Sequence, residues 1–301
     1  MNAAVDVYPS RVAAPAGFLP RKDPVVYRDV RLGQPGPLTE SEIAFYEENG
    51  FLRFESLFSA EEVAGFQEEL LRLRDSEEMK RAQEVILEPQ SDEIRSIFAV
   101  HKNNNVVFRR LAQDRRIVDR VSFLLDSPVY IHQSRINYKP GIHGKEFFWH
   151  SDFETWHMED GMPRMRAISC SISLSENNEF NGPLMLIPGS HRHFLSCVGE
   201  TPENHYEQSL REQEYGVPDS ESLNWLVDRG GIVSAKGPAG SVTFFECNMM
   251  HGSNSNIAPW PRSNVFYVYN SVENVLTKPF CGLAPRPEYI ASREVDVVKP
   301  L

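Results

Sequence analysis

The feature that most constrains the fold of this 301-residue chain is a series of short, strand-like segments that begins at Pro128. Clusters of Gly, Pro and Asn separate the segments, as is typical of the turns between strands. Many short strands with such turns predict a sandwich or a jelly-roll barrel. The predicted strands span 128–138, 147–154, 165–175, 183–187, 231–235, 241–247 and 263–271.

The first third of the chain carries helix signals instead. Apolar residues recur at helical spacing over 60–75 and again over 109–125, so we expect an amphipathic helix in each range. Helices of this kind pack outside a sheet, which predicts a mainly β fold with flanking helices. Capping boxes precede two of the expected helices, Thr39 with Glu42 and Ser59 with Glu62.

Outside these elements, two segments define the expected domain organisation. Residues 1–37 are rich in proline and are predicted to form an extended arm, draped over the body or mobile. We expect residues 38–301 to form a single domain. Within it, the polar insertion 197–229 is either a surface loop with a short helix or a lid over the site, and both interpretations stay open.

Charge and cysteine usage narrow the functional classes. A net charge of −11 argues against general affinity for nucleic acid or for anionic membranes. The four cysteines are widely spaced, and no hydrophobic leader opens the sequence, which favours a reduced cytoplasmic protein. No apolar run approaches the ~20 residues of a membrane-spanning helix.

A His-x-Asp pair within the run FFWHSDFETWHMEDGMP (147–163) is the strongest candidate for chemistry. Side chains at i and i+2 of a strand share a face, so His150 and Asp152 are predicted to aim at one point. Such a pair is weak evidence by itself. His251 follows the strand-like SVTFFEC and is the best third ligand. Two His and one carboxylate form the ligand set of non-heme Fe(II) oxygenases.

Two further strands carry polar side chains that suit a buried cavity. Along 128–139 one alternating face turns from apolar to polar, and this face points either into the barrel or at water. Arg262 lies eleven positions after His251. A buried Arg needs an anion, and a carboxylate matches the planar guanidinium geometrically. The 128–139 face comprises Val129, Ile131, Gln133, Arg135, Asn137 and Lys139.

These residues carry a family resemblance. The run FFWHSDFETWHMEDGMPRMRAISCSISLSEN closely resembles the signature stretch of ectoine hydroxylases, within the Fe(II)- and 2-oxoglutarate-dependent dioxygenases of the phytanoyl-CoA hydroxylase superfamily. The resemblance extends from about Leu38 to near the C-terminus, and PGSH at 188–191 is shared by the wider superfamily. It implies a double-stranded β-helix (jelly-roll, cupin-like) barrel and a homodimer.

The same resemblance implies an activity. Ectoine would be converted to 5-hydroxyectoine with release of succinate and CO2, using Fe(II) as the metal and 2-oxoglutarate and O2 as cosubstrates. The biological role implied is compatible-solute biosynthesis and protection against osmotic and heat stress.

Site residues follow from the resemblance position by position. His150, Asp152 and His251 match the iron ligands, and Arg262 matches the residue that binds the distal carboxylate of 2-oxoglutarate. The carboxylate ligand Asp152 argues against the related halogenases. Positions similar to the cosubstrate pocket are Lys139, Asn137, Ser169 and Ser253. Positions similar to the substrate-side wall are Gln133, Arg135, Trp156, Phe245, Asn264 and Phe266.

The chemistry of ectoine, a small cyclic amidinium carboxylate, fits this wall. Arg135, Gln133 and Asn264 could bind the carboxylate, and Trp156 with an aromatic partner could hold the ring by cation–π contact. Phe244 and Phe245 alternate along a strand, so one of them must point away from the pocket. Two alternatives remain: a related hydroxylase acting on an acyl-CoA or small metabolite, and a non-enzymatic cupin-like binding module.

Overall fold

Two antiparallel sheets, of seven and four strands, and a two-stranded ribbon make up the β structure of the protein. The structure is a computed structural model that describes residues 6–13, 17–29, 36–88, 92–102, 105–210 and 217–301. The strands are β1 (Gly17–Pro20), β2 (Phe51–Phe54), β3 (Val85–Leu87), β4 (Ile94–Phe98), β5 (Val129–Lys139), β6 (Phe147–Ser151), β7 (Ala167–Ser173), β8 (Leu184–Leu186), β9 (His193–Ser196), β10 (Val233–Ser234), β11 (Val242–Glu246), β12 (Met250–Ser253) and β13 (Arg262–Ser271).

The two sheets form the expected double-stranded β-helix. The larger sheet has the order β2-β11-β7-β13-β5-β4-β3, and the smaller has β10-β8-β12-β6. Side chains from both sheets meet in one apolar cluster, in which Phe245 and Phe266 of the larger sheet pack with Leu184 and Leu186 of β8. Along the chain, strands β5 to β8 and β10 to β13 alternate between the two sheets. Within the smaller sheet, β6 and β12 are neighbours.

Helices cover the outer face of the larger sheet, as expected. Both capping boxes are present, at Thr39 and Ser59. The predicted helix over 109–125 is two helices, because Asp114 interrupts the first and caps the second by accepting from the Arg116 N–H at 2.8 Å. The helices are α1 (Glu40–Asn49), α2 (Ala60–Arg74), α3 (Val106–Ala112), α4 (Arg115–Leu125), α5 (Asp152–Thr155), α6 (Tyr206–Ser209) and α7 (Ser220–Gly230).

The prediction for the strand over 147–154 was wrong in its length. The strand ends at Ser151, and Asp152 opens α5, which continues as a π-helical turn over Trp156–Asp160. The Phe153 N–H donates to the Cys247 carbonyl at 2.9 Å, a partner in the turn between β11 and β12. His150 and Asp152 thus converge across a strand-to-helix junction and do not share one strand face.

The single polar face predicted along 128–139 was also wrong. The register with β13 slips at one point, so that Val268 pairs with Gln133 and Tyr269 with Ile131. This bulge at His132 turns Val129 and Ile131 outward, where they pack with Tyr269 beneath the helices. The polar residues from Gln133 onward keep the inward direction. The expected split between Phe244 and Phe245 is confirmed, with Phe244 outward and Phe245 inward.

The N-terminal arm packs on the body where it is described. β1 pairs with β9, and Tyr8 is fully buried. Parts of two predicted segments lie outside the described residues, namely 1–5, 14–16 and 30–35 of the arm and 211–216 of the insertion. Within the described ranges, no helix has both the length and the apolar character needed to cross a membrane.

Candidate functional site

The three predicted metal ligands meet at one point. His150 on β6 and His251 on β12 are register partners, and Asp152 follows two residues after His150. One ligand atom from each lies within 4.8 Å of the others. The Asp152 carboxylate oxygens are 3.7 Å from His150 Nε2 and 3.8 Å from His251 Nε2. This spacing suits three ligands around one divalent ion.

Backbone carbonyls fix the orientation of both imidazole rings. His150 Nδ1 bonds to the Phe148 carbonyl at 2.6 Å, and His251 Nδ1 bonds to the Met249 carbonyl at 2.9 Å. A carbonyl only accepts, so each Nδ1 carries the proton and each Nε2 presents a lone pair to the centre. This is the tautomer that a metal-binding histidine needs.

Burial and mutual proximity shape the charges of the centre. Burial would raise the pKa of Asp152, but His251, His150 and Arg135 outweigh it and hold that pKa well below its usual range. Burial, reinforced by His150, lowers the pKa of His251 to about 4. The centre therefore offers one carboxylate and neutral imidazole at neutral pH, the protonation states that bind a cation.

Arg262 lines a cavity together with His150 and His251. Its side chain is 2% exposed, and its Nε and Nη1 have no hydrogen-bond partner in the part of the chain that the structure describes. Burial lowers the pKa of Arg262 to about 10. An unpartnered guanidinium facing a metal centre fits a dicarboxylate that reaches both.

The other predicted cosubstrate residues surround the same cavity or the carboxylate ligand. Lys139 Nζ donates to Ser253 Oγ at 2.8 Å and to the Asn254 carbonyl. Asn137 lines the cavity and accepts from Ser96 Oγ at 3.0 Å. Ser169 Oγ lies 3.5 Å from Asp152 Oδ2. The structure thus brings all four positions to the metal and Arg262 region.

A second cavity adjoins the first and shares Arg135, Phe147 and His150 with it. Three predicted substrate residues line it: Gln133, Arg135 and Trp156. Phe266 instead lines the Arg262 cavity, Phe245 packs on the His251 ring with centroids 5.0 Å apart, and Asn264 donates to Ser171 Oγ at 3.0 Å. The predicted wall is therefore spread over two adjoining cavities, and Arg135 lines both.

Several residues that line the second cavity were missed by sequence reasoning. Thr155 lines the cavity because Asp152 opens a helix that the sequence did not predict. Arg286 comes from a proline-rich C-terminal stretch without strand or helix pattern, so no spacing signal could have indicated it. The residues missed are Ser96, Phe98, Thr155, His205, Ser209, Leu210 and Arg286.

Three buried carboxylates of the FETWHMED segment anchor the surroundings of this cavity. Glu154 accepts from Arg11 of the arm at 3.0 Å. Glu159 accepts from Arg11 at 2.6 Å and from His205 of the insertion at 2.7 Å. Asp160 accepts from Arg286 at 2.7 and 2.5 Å. The segment after the metal ligand thus holds together three distant parts of the chain.

Known proteins share this arrangement of elements. A sequence model described as phytanoyl-CoA dioxygenase (PhyH) matches residues 46–264. "Ectoine dioxygenase" of Bordetella bronchiseptica is 54% identical over 302 residues, covering 100% of this chain and 97% of the relative. The crystal structure of EctD from S. alaskensis with 2-oxoglutarate and 5-hydroxyectoine is 48% identical, with a TM-score of 0.89 and coverage of 99% and 98%.

A second crystal structure of that protein, with bound Fe, is 47% identical with a TM-score of 0.87, over 99% of this chain and 98% of that one. The jelly-roll fold, the His-Asp-His centre and the full-length similarity agree with one another. The chain therefore belongs to the phytanoyl-CoA dioxygenase family and, within it, to the ectoine dioxygenases.

Proposed function

We propose that this protein is an Fe(II)- and 2-oxoglutarate-dependent dioxygenase that hydroxylates ectoine to 5-hydroxyectoine, with release of succinate and CO2. The observation that carries the proposal is the pairing of a His-Asp-His centre with an unpartnered, buried Arg262 in one cavity. Full-length identity of 54% to an ectoine dioxygenase supports the substrate.

The chain's own residues account for binding of the metal and the cosubstrate. His150, Asp152 and His251 would hold Fe(II) and leave positions open for the cosubstrates. Arg262 would take the distal carboxylate of 2-oxoglutarate through its guanidinium, the Nε and Nη1 of which have no partner among the described residues. With 2-oxoglutarate and O2, bound Fe(II) supplies the oxidising power that inserts oxygen into an unactivated C–H bond.

Polar and aromatic side chains of the second cavity suit a small zwitterion. Arg135 Nε is buried without a hydrogen-bond partner among the described residues, so it is available to a carboxylate. Arg286 adds a second guanidinium, held in place by Asp160. Trp156 offers a ring face for a delocalised cation, a contact worth about 0.5–2 kcal/mol. A long acyl chain would find few apolar partners here.

The test is a coupled measurement of product and succinate. Purified protein with Fe(II), ascorbate and 2-oxoglutarate should form succinate in step with 5-hydroxyectoine when ectoine is added, measured by NMR or mass spectrometry. Succinate release that is the same with and without ectoine would contradict the substrate assignment.

The variant His251→Ala tests the metal centre in the same assay. It should lose at least about 10³-fold in turnover, because two protein ligands hold the metal poorly. Glu68→Ala, at an exposed position of α2, is the control and should keep full activity. Full turnover in His251→Ala would show that the third ligand is elsewhere.

We further propose that residues 38–301 act as one catalytic domain with 1–37 as its arm, and that the insertion 197–229 closes over the substrate. Support for the lid is that His205, Ser209 and Leu210 line the second cavity. Limited proteolysis should cleave the insertion more slowly with ectoine and 2-oxoglutarate than without them. Equal cleavage rates would contradict a closing lid.

We also propose that the enzyme is a cytoplasmic homodimer that serves compatible-solute biosynthesis under osmotic and heat stress. All four cysteines are free thiols, which suits a reducing compartment. Ile142, Ile257 and Trp260 are more than half exposed and lie on adjoining loops, a surface that suits a second copy. Light scattering should give twice the chain mass; a monomeric mass would contradict the dimer.

A further inference from the structure

A buried asparagine joins the elements that carry the three metal ligands. Asn248 lies in the turn between β11 and β12 and is 2% exposed. Its Oδ1 accepts from Ser151 Oγ at 2.9 Å. Its Nδ2 donates to the carbonyls of His191 at 3.1 Å and His193 at 2.9 Å. Both polar atoms of the side-chain amide are therefore engaged, Oδ1 with the Ser151 hydroxyl beside the metal ligands and Nδ2 with the 191–193 segment.

Ser151 stands between His150 and Asp152, at the point where the strand becomes a helix. It occupies the N-cap position of α5, where a serine hydroxyl ordinarily accepts from a backbone N–H of the first turn. Here it makes no such bond, and the hydroxyl donates to Asn248 instead. The hydroxyl therefore ties the ligand-bearing junction to the β11–β12 turn rather than stabilising its own helix.

The turn itself is fixed by a buried ion pair. Glu246 Oε2 accepts from the Asn248 backbone N–H at 2.6 Å, and Glu246 Oε1 lies 2.9 Å from Arg21 Nη1. The side chains of Arg21 and Glu246 are 5% and 2% exposed. Arg21 also donates to the Met165 carbonyl at 3.0 Å. The N-terminal arm thus reaches the metal centre through Arg21, Glu246 and Asn248.

We infer that Asn248 is a positioning residue of the metal centre, acting through Ser151 to set the direction of Asp152 relative to the two histidines. The inference rests on the metal centre of the proposed function. The ladder ends at Ser151, which pairs with Met250, and beyond it the backbone of the junction is tied by the Phe153 N–H bond to the Cys247 carbonyl. The Ser151–Asn248 hydrogen bond adds a side-chain constraint at this junction, because Asn248 is next to Met249, the carbonyl of which orients His251, and three residues from His251 itself.

Binding of Mn(II) to the metal-free protein, followed by electron paramagnetic resonance, tests this role without turnover. Ser151→Ala should weaken Mn(II) binding by about 10- to 100-fold, the usual effect of removing a group that orients metal ligands. Its metal-free Tm should stay within about 3 °C of the parent, since one hydrogen bond is lost. Ser151→Thr keeps the hydroxyl and should restore most of the affinity, and Glu68→Ala on α2 is the exposed control.

A double-mutant cycle separates this role from general stability. If Ser151 and Asn248 act through their shared bond, the double Ser151→Ala, Asn248→Ala variant should bind Mn(II) no worse than the weaker single variant. Mn(II) affinity of Ser151→Ala within twofold of the parent would overturn the inference, even if Asn248→Ala fails to fold. A parent protein that binds no Mn(II) would overturn the metal centre of the proposed function and this inference with it.

Discussion

Arg262 and Arg11 are both buried arginines, yet their surroundings are opposite. Arg262, 2% exposed, has no carboxylate partner among the described residues, and two of its nitrogens lack any hydrogen bond. Arg11, 7% exposed, donates to both oxygens of Glu154 and to Glu159. An unpaired buried charge is costly, whereas a fully paired one is tolerated. The difference indicates that Arg262 is free to bind an anionic ligand and that Arg11 has a structural role.

The same contrast separates the two cavities. Beside the cavity that Arg262 lines, Lys139 is the register partner of Arg262, and burial followed by the charge of Arg262 lowers the pKa of Lys139 well below its usual range. Around the second cavity, Arg286 forms an ion pair with Asp160, and His205 contacts Glu159. The cavity lined by Arg262 is thus poised for an anion, whereas the second cavity combines these paired groups with Arg135, the Nε of which has no hydrogen-bond partner among the described residues.

The strongest test of this comparison is Arg262→Met. We expect KM for 2-oxoglutarate to rise by about 100-fold or more, since a lost bidentate charge pair costs about 2–5 kcal/mol. Ligand-free stability should stay equal or rise, because an unpaired buried charge is replaced by an apolar side chain. Saturation kinetics and thermal unfolding without 2-oxoglutarate measure the two effects. A large fall in ligand-free Tm would break the comparison.

Arg11→Met should have the opposite pattern, a large loss of stability with a smaller effect on KM for 2-oxoglutarate. It leaves Glu154 and Glu159 without a main partner, so we expect a loss of about 3–5 kcal/mol in the free energy of unfolding. Denaturant unfolding measures it, and KM for 2-oxoglutarate should change less than in Arg262→Met. Arg115→Met is the matched control, since that exposed ion pair with Asp119 should contribute less than about 1 kcal/mol. A change in Arg11→Met as small as in the control would contradict a structural role.

We expect the loss of stability in acid to come from the paired carboxylates Glu159 and Asp160. This effect should be smaller than those of the Arg262→Met and Arg11→Met variants. Burial would raise the pKa values of Glu159 and Asp160, but neighbouring groups outweigh it and lower both. For Glu159 these groups are His205, Arg286 and Arg11. For Asp160 they are Arg286 and His132. A carboxyl with a lowered folded-state pKa adds stability above its unfolded pKa, and this stability is lost as the pH falls through the folded value.

The parent should therefore lose Tm progressively as the pH falls below about 4.5, the ordinary range of a carboxyl. A double Asp160→Asn, Arg286→Met variant should show a shallower decline, by about 2–4 °C. Arg262→Met should keep the shape of the parent's curve. Thermal unfolding between pH 3 and 6 makes the measurement, and an unchanged slope in the double variant would rule out this cluster as the source.

Local patterns predicted much of the fold. The capping boxes placed two helix starts correctly, and alternating apolar residues located the strands, because both signals act within a few residues. The short strands β1, β3, β4, β9 and β12 were missed, since three to five residues offer too little alternation to detect. The bulge at His132 was also missed, because a slip of register depends on the neighbouring strand.

By itself, the sequence determined the ligand types, the strand content and, through the resemblance of FFWHSDFETWHMEDGMP, the family. Tertiary structure alone decided how the ligands converge. Asp152 reaches the metal centre from a helix start held by Cys247 and Asn248, and Arg286 and His205 enter the second cavity from irregular segments. The physical reason is that buried charges are placed by their partners, and those partners, such as Asp160 for Arg286, lie more than a hundred residues away.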